Sequence, residues 1–267
     1  MFSSDFFYFC KYVSQKPAAG IYPVVGQEVF LLMPVHNTNL SKETILDEVF
    51  GLWPSLSESQ RALVSRHLRI GRYKKNAPIY HSSDSPDHVY ILVSGKAKVL
   101  KDGVGGRNQI IRVIKPVEMF GYRAHFAGES HRTFATAFES SVVAMLPIGV
   151  VEQLMRENHE VSLCIVRHLS VLLGQSDDRT VNLTQKHIRG RLAEALLFLK
   201  DNYGLEEDGS TLSIYLSRED LANLSNMTTS NAIRTLSAFA AERLIAIDGK
   251  KIKIVDQDEL CRVSKMG

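Results

Sequence analysis

Cysteine is scarce in this chain, and so is any excess of charge of one sign. Cys10, Cys164 and Cys261 are the three cysteines among 267 residues, too far apart for CxxC or Cys/His ligand spacing. Such usage excludes a disulfide framework and fits a reducing cytoplasm. It also excludes an iron–sulfur cluster held by four cysteines of one subunit. No apolar run approaches the roughly 20 residues needed to span a bilayer, so no membrane partner is expected. Met1 to Tyr12 is aromatic but lacks the basic start and clean apolar core of an export signal. The formal net charge is +3, and from Lys186 onward twelve Lys/Arg face twelve Asp/Glu. Bulk charge therefore gives no evidence for a nucleic-acid partner, and any such evidence must come from local placement. No His-x-His occurs. His81, His88, His125 and His131 are scattered as surface or satisfied polar residues, which leaves no metal site of the jelly-roll enzyme kind. No nucleophile–base constellation is visible either, so the chain is not read as an enzyme.

Present instead is a composition, 45% apolar and 23% charged, that suits a globular chain with two small cores. From Arg69 to about Pro147 short alternating segments, such as Tyr90-Ile91-Leu92-Val93 and Ala97-Lys98-Val99-Leu100, are separated by Ser94-Gly95, Asp102-Gly103, Gly105-Gly106 and Lys115-Pro116. Many short strands with regular turns predict a β jelly roll. That architecture by itself specifies no ligand.

Val161 to Leu173 is a helix apolar around most of its circumference, whereas one flanking core needs only one stripe. A second partner is expected to cover the remainder. Gly174-Gln175-Ser176-Asp177-Asp178 then interrupts the run with a weak helix former and two acids, and a junction of marginal helicity is expected there.

Ser217 to Val255 spells two short helices, a tight turn and a basic hairpin. Ser217 followed by Asp220 resembles a capping box and starts the first helix, which Ser225-Asn226 ends in a left-handed turn. Thr228 caps the second. There Ala232, Ile233, Leu236, Phe239 and Ala240 are expected to pack inward, leaving Thr229, Ser230, Asn231, Arg234 and Thr235 outward. Arg bonds bidentately to guanine, Asn to adenine, and a Thr methyl meets a thymine methyl. Ile245-Ala246-Ile247, a turn at Asp248-Gly249, and Lys250 to Ile254 form the hairpin, with lysines for phosphates.

This tail resembles the winged helix-turn-helix of the CRP/FNR superfamily of dimeric bacterial transcription regulators. The resemblance runs from Ile45 to the C-terminus and includes Lys186-His187-Ile188-Arg189-Gly190-Arg191-Leu192-Ala193. It implies an α+β fold with an N-terminal extension over 1–44, a jelly-roll sensor domain over 45–157, a dimerisation helix over 158–185 and a DNA-binding domain over 186–267. The extension is expected to be disordered or untranslated, with Met33 as an alternative start. Ser217, Arg218, Thr228, Thr229, Ser230, Asn231, Arg234, Lys250 and Lys251 are the implied DNA contacts, Arg234 aligning with the family's base-reading arginine. Ser230 stands where most relatives carry a glutamate, so the usual half-site is not implied. Val166, Leu169, Leu173 and Ser176 are implied at a homodimer interface.

In nucleotide-binding members of the superfamily, a Gly-Glu-Leu segment meets the ribose and an Arg-Ser/Thr pair meets the cyclic phosphate. The aligned residues are Gly121-Tyr122-Arg123 and Arg132-Thr133, with Ser176 and Asp177 at the adenine positions. Tyr122 cannot accept two hydrogen bonds from a ribose as a carboxylate does, and Asp177 sets an anion beside an anionic ligand. cAMP is therefore disfavoured, and an unidentified small anion or no effector is expected. No cofactor is predicted. His125, His131, Cys164 and Met119 have axial-ligand chemistry for haem, but no spacing singles one out. Double-stranded DNA is the expected partner and RNA polymerase the second. The competing reading is a ligand-sensing module whose helical tail docks a protein.

Overall fold

The computed structural model describes residues 40–103, 106 and 108–266. The readings made on Met1 to Tyr12, Cys10, Met33 and Gly105 lie outside them. Helices α1 (Lys42–Leu52) and α2 (Glu58–His67) open the described chain. Ser41 accepts from the Thr44 amide, and Ser57 and Gln60 close a reciprocal capping box, so both helix starts are satisfied by side chains. Strands β1 (Arg69–Tyr73), β2 (Pro78–Tyr80), β3 (His88–Ser94), β4 (Ala97–Asp102), β5 (Asn108–Ile114) and β6 (Glu118–Phe120) follow. The short helix α3 (Arg123–Phe126) leads to β7 (Phe134–Ala137) and β8 (Ser141–Pro147). Then come α4 (Ile148–Glu157), α5 (His159–Gln185), α6 (Ile188–Tyr203), α7 (Arg218–Leu224), α8 (Thr229–Ala241), β9 (Ile245–Asp248), β10 (Lys251–Ile254) and α9 (Gln257–Met266). The fold is α+β: jelly-roll strands, a long helix and a helix-turn-helix with its hairpin.

Two four-stranded sheets have the orders β1-β8-β3-β6 and β2-β7-β4-β5. In the first, β3 and β8 run antiparallel with Ile91 opposite Ala144 and Leu92 opposite Val143, and a bulge falls between Leu92 and Ser94. Both strands are buried through most of their length. The described residues divide into two compact units. One takes the chain up to Ala97 with Pro116–His131 and Thr136–Leu172, the other Lys98–Lys115, Arg132–Ala135 and the chain from Leu173. In this division β5 and most of β4 fall with the C-terminal elements.

The core of the first unit joins Ile45, Val49 and Trp53 of the α1 segment to Val89, Ile91, Val142, Ala144 and Leu146 of the sheet. Val151, Leu154, Val161 and Ile165 close it from the helices that follow. Beside this core lies an aromatic cluster. Tyr80 stacks on His131 with ring centroids 4.1 Å apart, and Tyr90 lies 5.4 Å from both Tyr80 and Phe120. Burial pushes the Tyr90 phenol up to about 12. His131 is 4% exposed and its Nε2 has no hydrogen-bond partner among the described residues. Burial, partly offset by Asp84, holds its pKa below the ordinary 6.5.

In the second unit α6 buries Leu192, Ala193, Leu196 and Leu199, and α9 packs against it. Helix α9 goes beyond the elements expected from the sequence. Its start is marked by Asp256, whose carboxylate accepts from the Glu259 amide at 2.9 Å. Arg179 of α5 donates to the carbonyls of Ile110 and Ile111 at 2.5 and 2.7 Å, and to that of Leu224 at 3.4 Å. Lys98 pairs with Asp220 of α7 at 2.5 Å, and Gln109 donates to the Asn223 carbonyl. Helix α7 is thus held against β4 and β5. The expected weak junction at Gly174 to Asp178 is helical throughout, since one interior Gly costs only about 1 kcal/mol against Ala.

Gly95 follows β3 at φ 84°, and a Cβ there would come within 2.5 Å of the Ser140 carbonyl oxygen and Ser141 Oγ. Gly95→Ala is expected to destabilise by more than about 1 kcal/mol, read as a lower urea midpoint at unchanged m-value. The lowered His131 pKa means that its neutral form supports folding above pH 6.5 and that this support is lost as pH falls through its folded pKa. Accordingly, the urea midpoint of the wild type should fall between about pH 7 and pH 5 more steeply than that of His131→Phe. Parallel slopes for the two proteins would contradict the assignment.

Candidate nucleic-acid interface and effector site

The helix-turn-helix is built by three short-range signals. Ser217 Oγ accepts from the Asp220 amide at 3.0 Å and donates to Asp220 Oδ2 at 2.7 Å, fixing the start of α7. Ser225 closes α7, and Asn226 takes the left-handed turn at φ 51°. Thr228 Oγ1 then accepts from the Asn231 amide at 3.2 Å, so α8 begins where its cap was read.

Helix α8 turns Ala232, Thr235, Leu236 and Phe239 into the core. Two expectations are corrected here. Thr235 is buried rather than outward, and Ile233 is 47% exposed rather than packed inward. At about 100° per residue, Thr235 lies within the arc that Ala232, Leu236 and Phe239 bury, whereas Ile233 is carried a quarter-turn past Ala232 to its edge. Thr229, Ser230 and Arg234 are exposed as expected, and Asn231 is half-buried. Arg234 makes no hydrogen bond or ion pair among the described residues, so its five donors are free for a partner outside the chain.

The hairpin pairs Lys251 with Asp248 and Ile252 with Ile247. Its turn is therefore Gly249-Lys250, one residue beyond the expected Asp248-Gly249. Gly249 has φ 56°, and glycine at the first central position is what a type II′ turn requires. Arg218 Nη2 donates to the Gly249 carbonyl at 2.9 Å, tying the first turn of α7 to this hairpin. The connecting segment Glu206 to Asp208 lies beside β10. Asp208 accepts from Ser210 and Thr211, whose donors hold its carboxyl far below the usual range. It faces Lys253 at 3.6 Å, while Lys251 faces Glu206 at 3.5 Å and lies over the Tyr215 ring. Lys250, at the turn, is exposed and has no acidic partner among the described residues.

Tyr122 of the candidate effector segment is 2% exposed, and its hydroxyl lies 2.5 Å from His168 Nδ1. His168 Nε2 in turn faces Glu118 Oε1 at 3.9 Å. The assignment that serves both contacts puts the proton on Nε2 and lets Nδ1 accept from Tyr122. Nothing in the sequence singles out His168, which reads as one polar residue in an apolar helix. Gly121 has φ 84°, and a Cβ there would lie 2.4 Å from the Tyr90 ring. Arg123 pairs with Glu129 at 2.8 Å. Arg132 and Thr133 are half-exposed or exposed and engaged within the chain, and Ser176 and Asp177 are exposed on α5. Of the residues with haem-ligand chemistry, His125 is bonded to Glu152 at 2.8 Å and Met119 is a core residue of β6. Burial pushes the Cys164 thiol up to about 12, and it donates to the Leu52 carbonyl.

Helix α5 buries Val161, Cys164, Ile165 and His168 on one side. Val166 at 55% and Leu173 at 64% exposure remain open, with Leu163 and Val181, and Leu169 is half-covered. The apolar excess read in the sequence is thus left uncovered among the described residues. No helix among the described residues is long and apolar enough to cross a membrane.

Residues 70–158 match the family of cyclic nucleotide-binding domains, and residues 190–263 match the Crp-like helix-turn-helix domain. The chain is 23% identical over 221 residues to a CRP-like cAMP-activated global transcriptional regulator of Mycobacterium tuberculosis, spanning 81% of this chain and 99% of that one. It is 27% identical over 188 residues to the global nitrogen regulator of a Nostoc species, spanning 69% and 84%. The structure of FixK2 from Bradyrhizobium japonicum superimposes with a TM-score of 0.67 at 22% identity, over 73% of this chain and 96% of that one. With this domain pair, these relatives and a helix-turn-helix suited to DNA, the chain belongs to the CRP/FNR superfamily of transcription regulators.

Proposed function

We propose that the chain acts in the cytoplasm as a homodimeric regulator that binds an inverted-repeat operator through α8, with RNA polymerase as a second partner. The observation that carries this reading is the outward edge of α8. Arg234 stands there without an internal partner among the described residues, beside Ser230 and Thr229 at a capped helix start. Helix N-terminal halves are the part that reaches base edges in this motif. Ser217 and Thr228 act first as caps, and Arg218 first as a tie to the hairpin. Their reach to phosphate is therefore secondary to that of Lys250. Val166, Leu169 and Leu173 of α5 provide the apolar area for a two-fold interface, continuing along the helix to Ser176. Two copies would present their α8 helices to half-sites about 34–36 Å apart.

The effector differs from cAMP in this reading. The hydroxyl of Tyr122 is committed to His168 and buried, so this position offers a ribose diol no acceptor pair. Arg132 and Thr133 retain the chemistry for a small oxyanion, and a regulator needing no effector is equally compatible with the site. An effector shifts the DNA-competent arrangement only by its difference in affinity between states.

On a duplex that the wild type prefers to bulk DNA, Arg234→Ala is expected to lose about 1–3 kcal/mol and to relax selectivity at one base pair. Equal affinity of the two proteins, measured by fluorescence anisotropy, would remove Arg234 from the reading. Lys250→Ala should weaken all sequences alike and reduce the slope of log K against log salt by about one for each phosphate that is no longer neutralised. Lys251→Ala should change it less, because Glu206 already faces that lysine. Salt-insensitive binding without any DNA preference would favour the protein-docking alternative. Sedimentation at micromolar concentration should show a dimer, and a strict monomer would exclude the symmetric operator.

A further inference from the structure

The exposed side chains of α8 are polar with one large exception. Ile233 is 47% exposed and lies one helical turn from Ser230 and from Ser237, immediately before Arg234. The core does not use it, since Ala232, Thr235, Leu236 and Phe239 form the buried stripe. Helix propensity does not explain it either, since a β-branched residue is a poorer helix former than the Ala, Lys or Glu that an exposed position accepts. Water gives no reward for an isoleucine at this point, whereas a major groove does. The pattern of donors and acceptors on base edges is interrupted there by one apolar feature, the C5-methyl group of thymine. A β-branched side chain presents its methyl groups from a nearly fixed χ1, so little rotamer freedom is lost when it is pressed against that methyl.

We propose that Ile233 is a specificity-determining residue that reads a thymine methyl group in the operator half-site, next to the base read by Arg234. The inference rests on α8 being the DNA-reading helix. It also accounts for the edge as a whole, with a guanidinium for hydrogen-bond acceptors and an aliphatic side chain for the methyl lying side by side on one turn.

Replacing thymine by deoxyuridine deletes only the methyl group and leaves the pairing and O4 in place. Each thymine of a preferred half-site would be replaced in turn, and binding compared for wild type, Ile233→Ala and Ile233→Thr. Position 233 is exposed and helical, so Ile233→Ala should fold as the wild type does, which its thermal midpoint checks. For wild type, one thymine per half-site should show a loss of about four-fold, the scale of one methyl group removed from water. Ile233→Ala should bind the thymine and uracil duplexes alike at that position, and Ile233→Thr, which keeps one methyl, should fall between. If Ile233→Ala keeps the wild-type ratio at every thymine, or no thymine is sensitive in the wild type, the proposal is wrong while DNA reading stands. If neither protein prefers any sequence to bulk DNA, the reading of α8 itself fails and the proposal falls with it.

Discussion

The rotation of α8 about its own axis is the constraint on which the rest of the reader depends. Burial of Ala232, Leu236 and Phe239 fixes that rotation, because any turn of the helix would bring apolar area back into water. Removing the Phe239 side chain would cost about 3–5 kcal/mol by the usual scale of buried aromatic truncation. Arg189 of α6 adds a second hold, its guanidinium 5.0 Å from the Phe239 ring centroid and paired with both oxygens of Glu242. That pair is half-exposed, so its value is geometric more than energetic. Once the rotation is set, the outward residues follow from helical period alone, and Ser230, Ile233, Arg234 and Ser237 become the surface available to a groove.

A related economy governs the sensor segment. Where a carboxylate would face a ligand, Tyr122 turns its hydroxyl to His168, and His168 reaches Glu118. A buried phenol and imidazole satisfy each other here, so this contact is part of the core. The basic hairpin shows the same principle in the opposite sense. Lys251 and Lys253 have acidic neighbours in Glu206 and Asp208, and the exposed turn residue Lys250 has none among the described residues.

Local signals make much of this legible in the sequence. Ser217 and Thr228 act through bonds to residues three positions on, and Asn226 through its own left-handed backbone, so their roles are readable without tertiary context. The alternating strands and the surplus apolar face of α5 are readable for the same reason, as periodicities. Thr235 and Ile233 are not, because a hydroxyl-bearing residue on the core side and an isoleucine on the open side both invert the polarity on which the pattern depends. His168, Lys98 and Arg179 escape a sequence reading because their partners Tyr122, Asp220 and Ile110 are between 46 and 122 residues away in the chain. Helix α9 has a readable start in Asp256 and Glu259 but follows a hairpin that already completes the motif.

The most direct test is selection of the purified protein, dialysed free of small molecules, on duplexes with random central sequence. An operator-reading dimer predicts enrichment of one inverted repeat whose half-sites lie about one helical turn apart. Enrichment of nothing, both alone and with cell-extract metabolites added, would contradict the assignment of α8 as a DNA-reading helix.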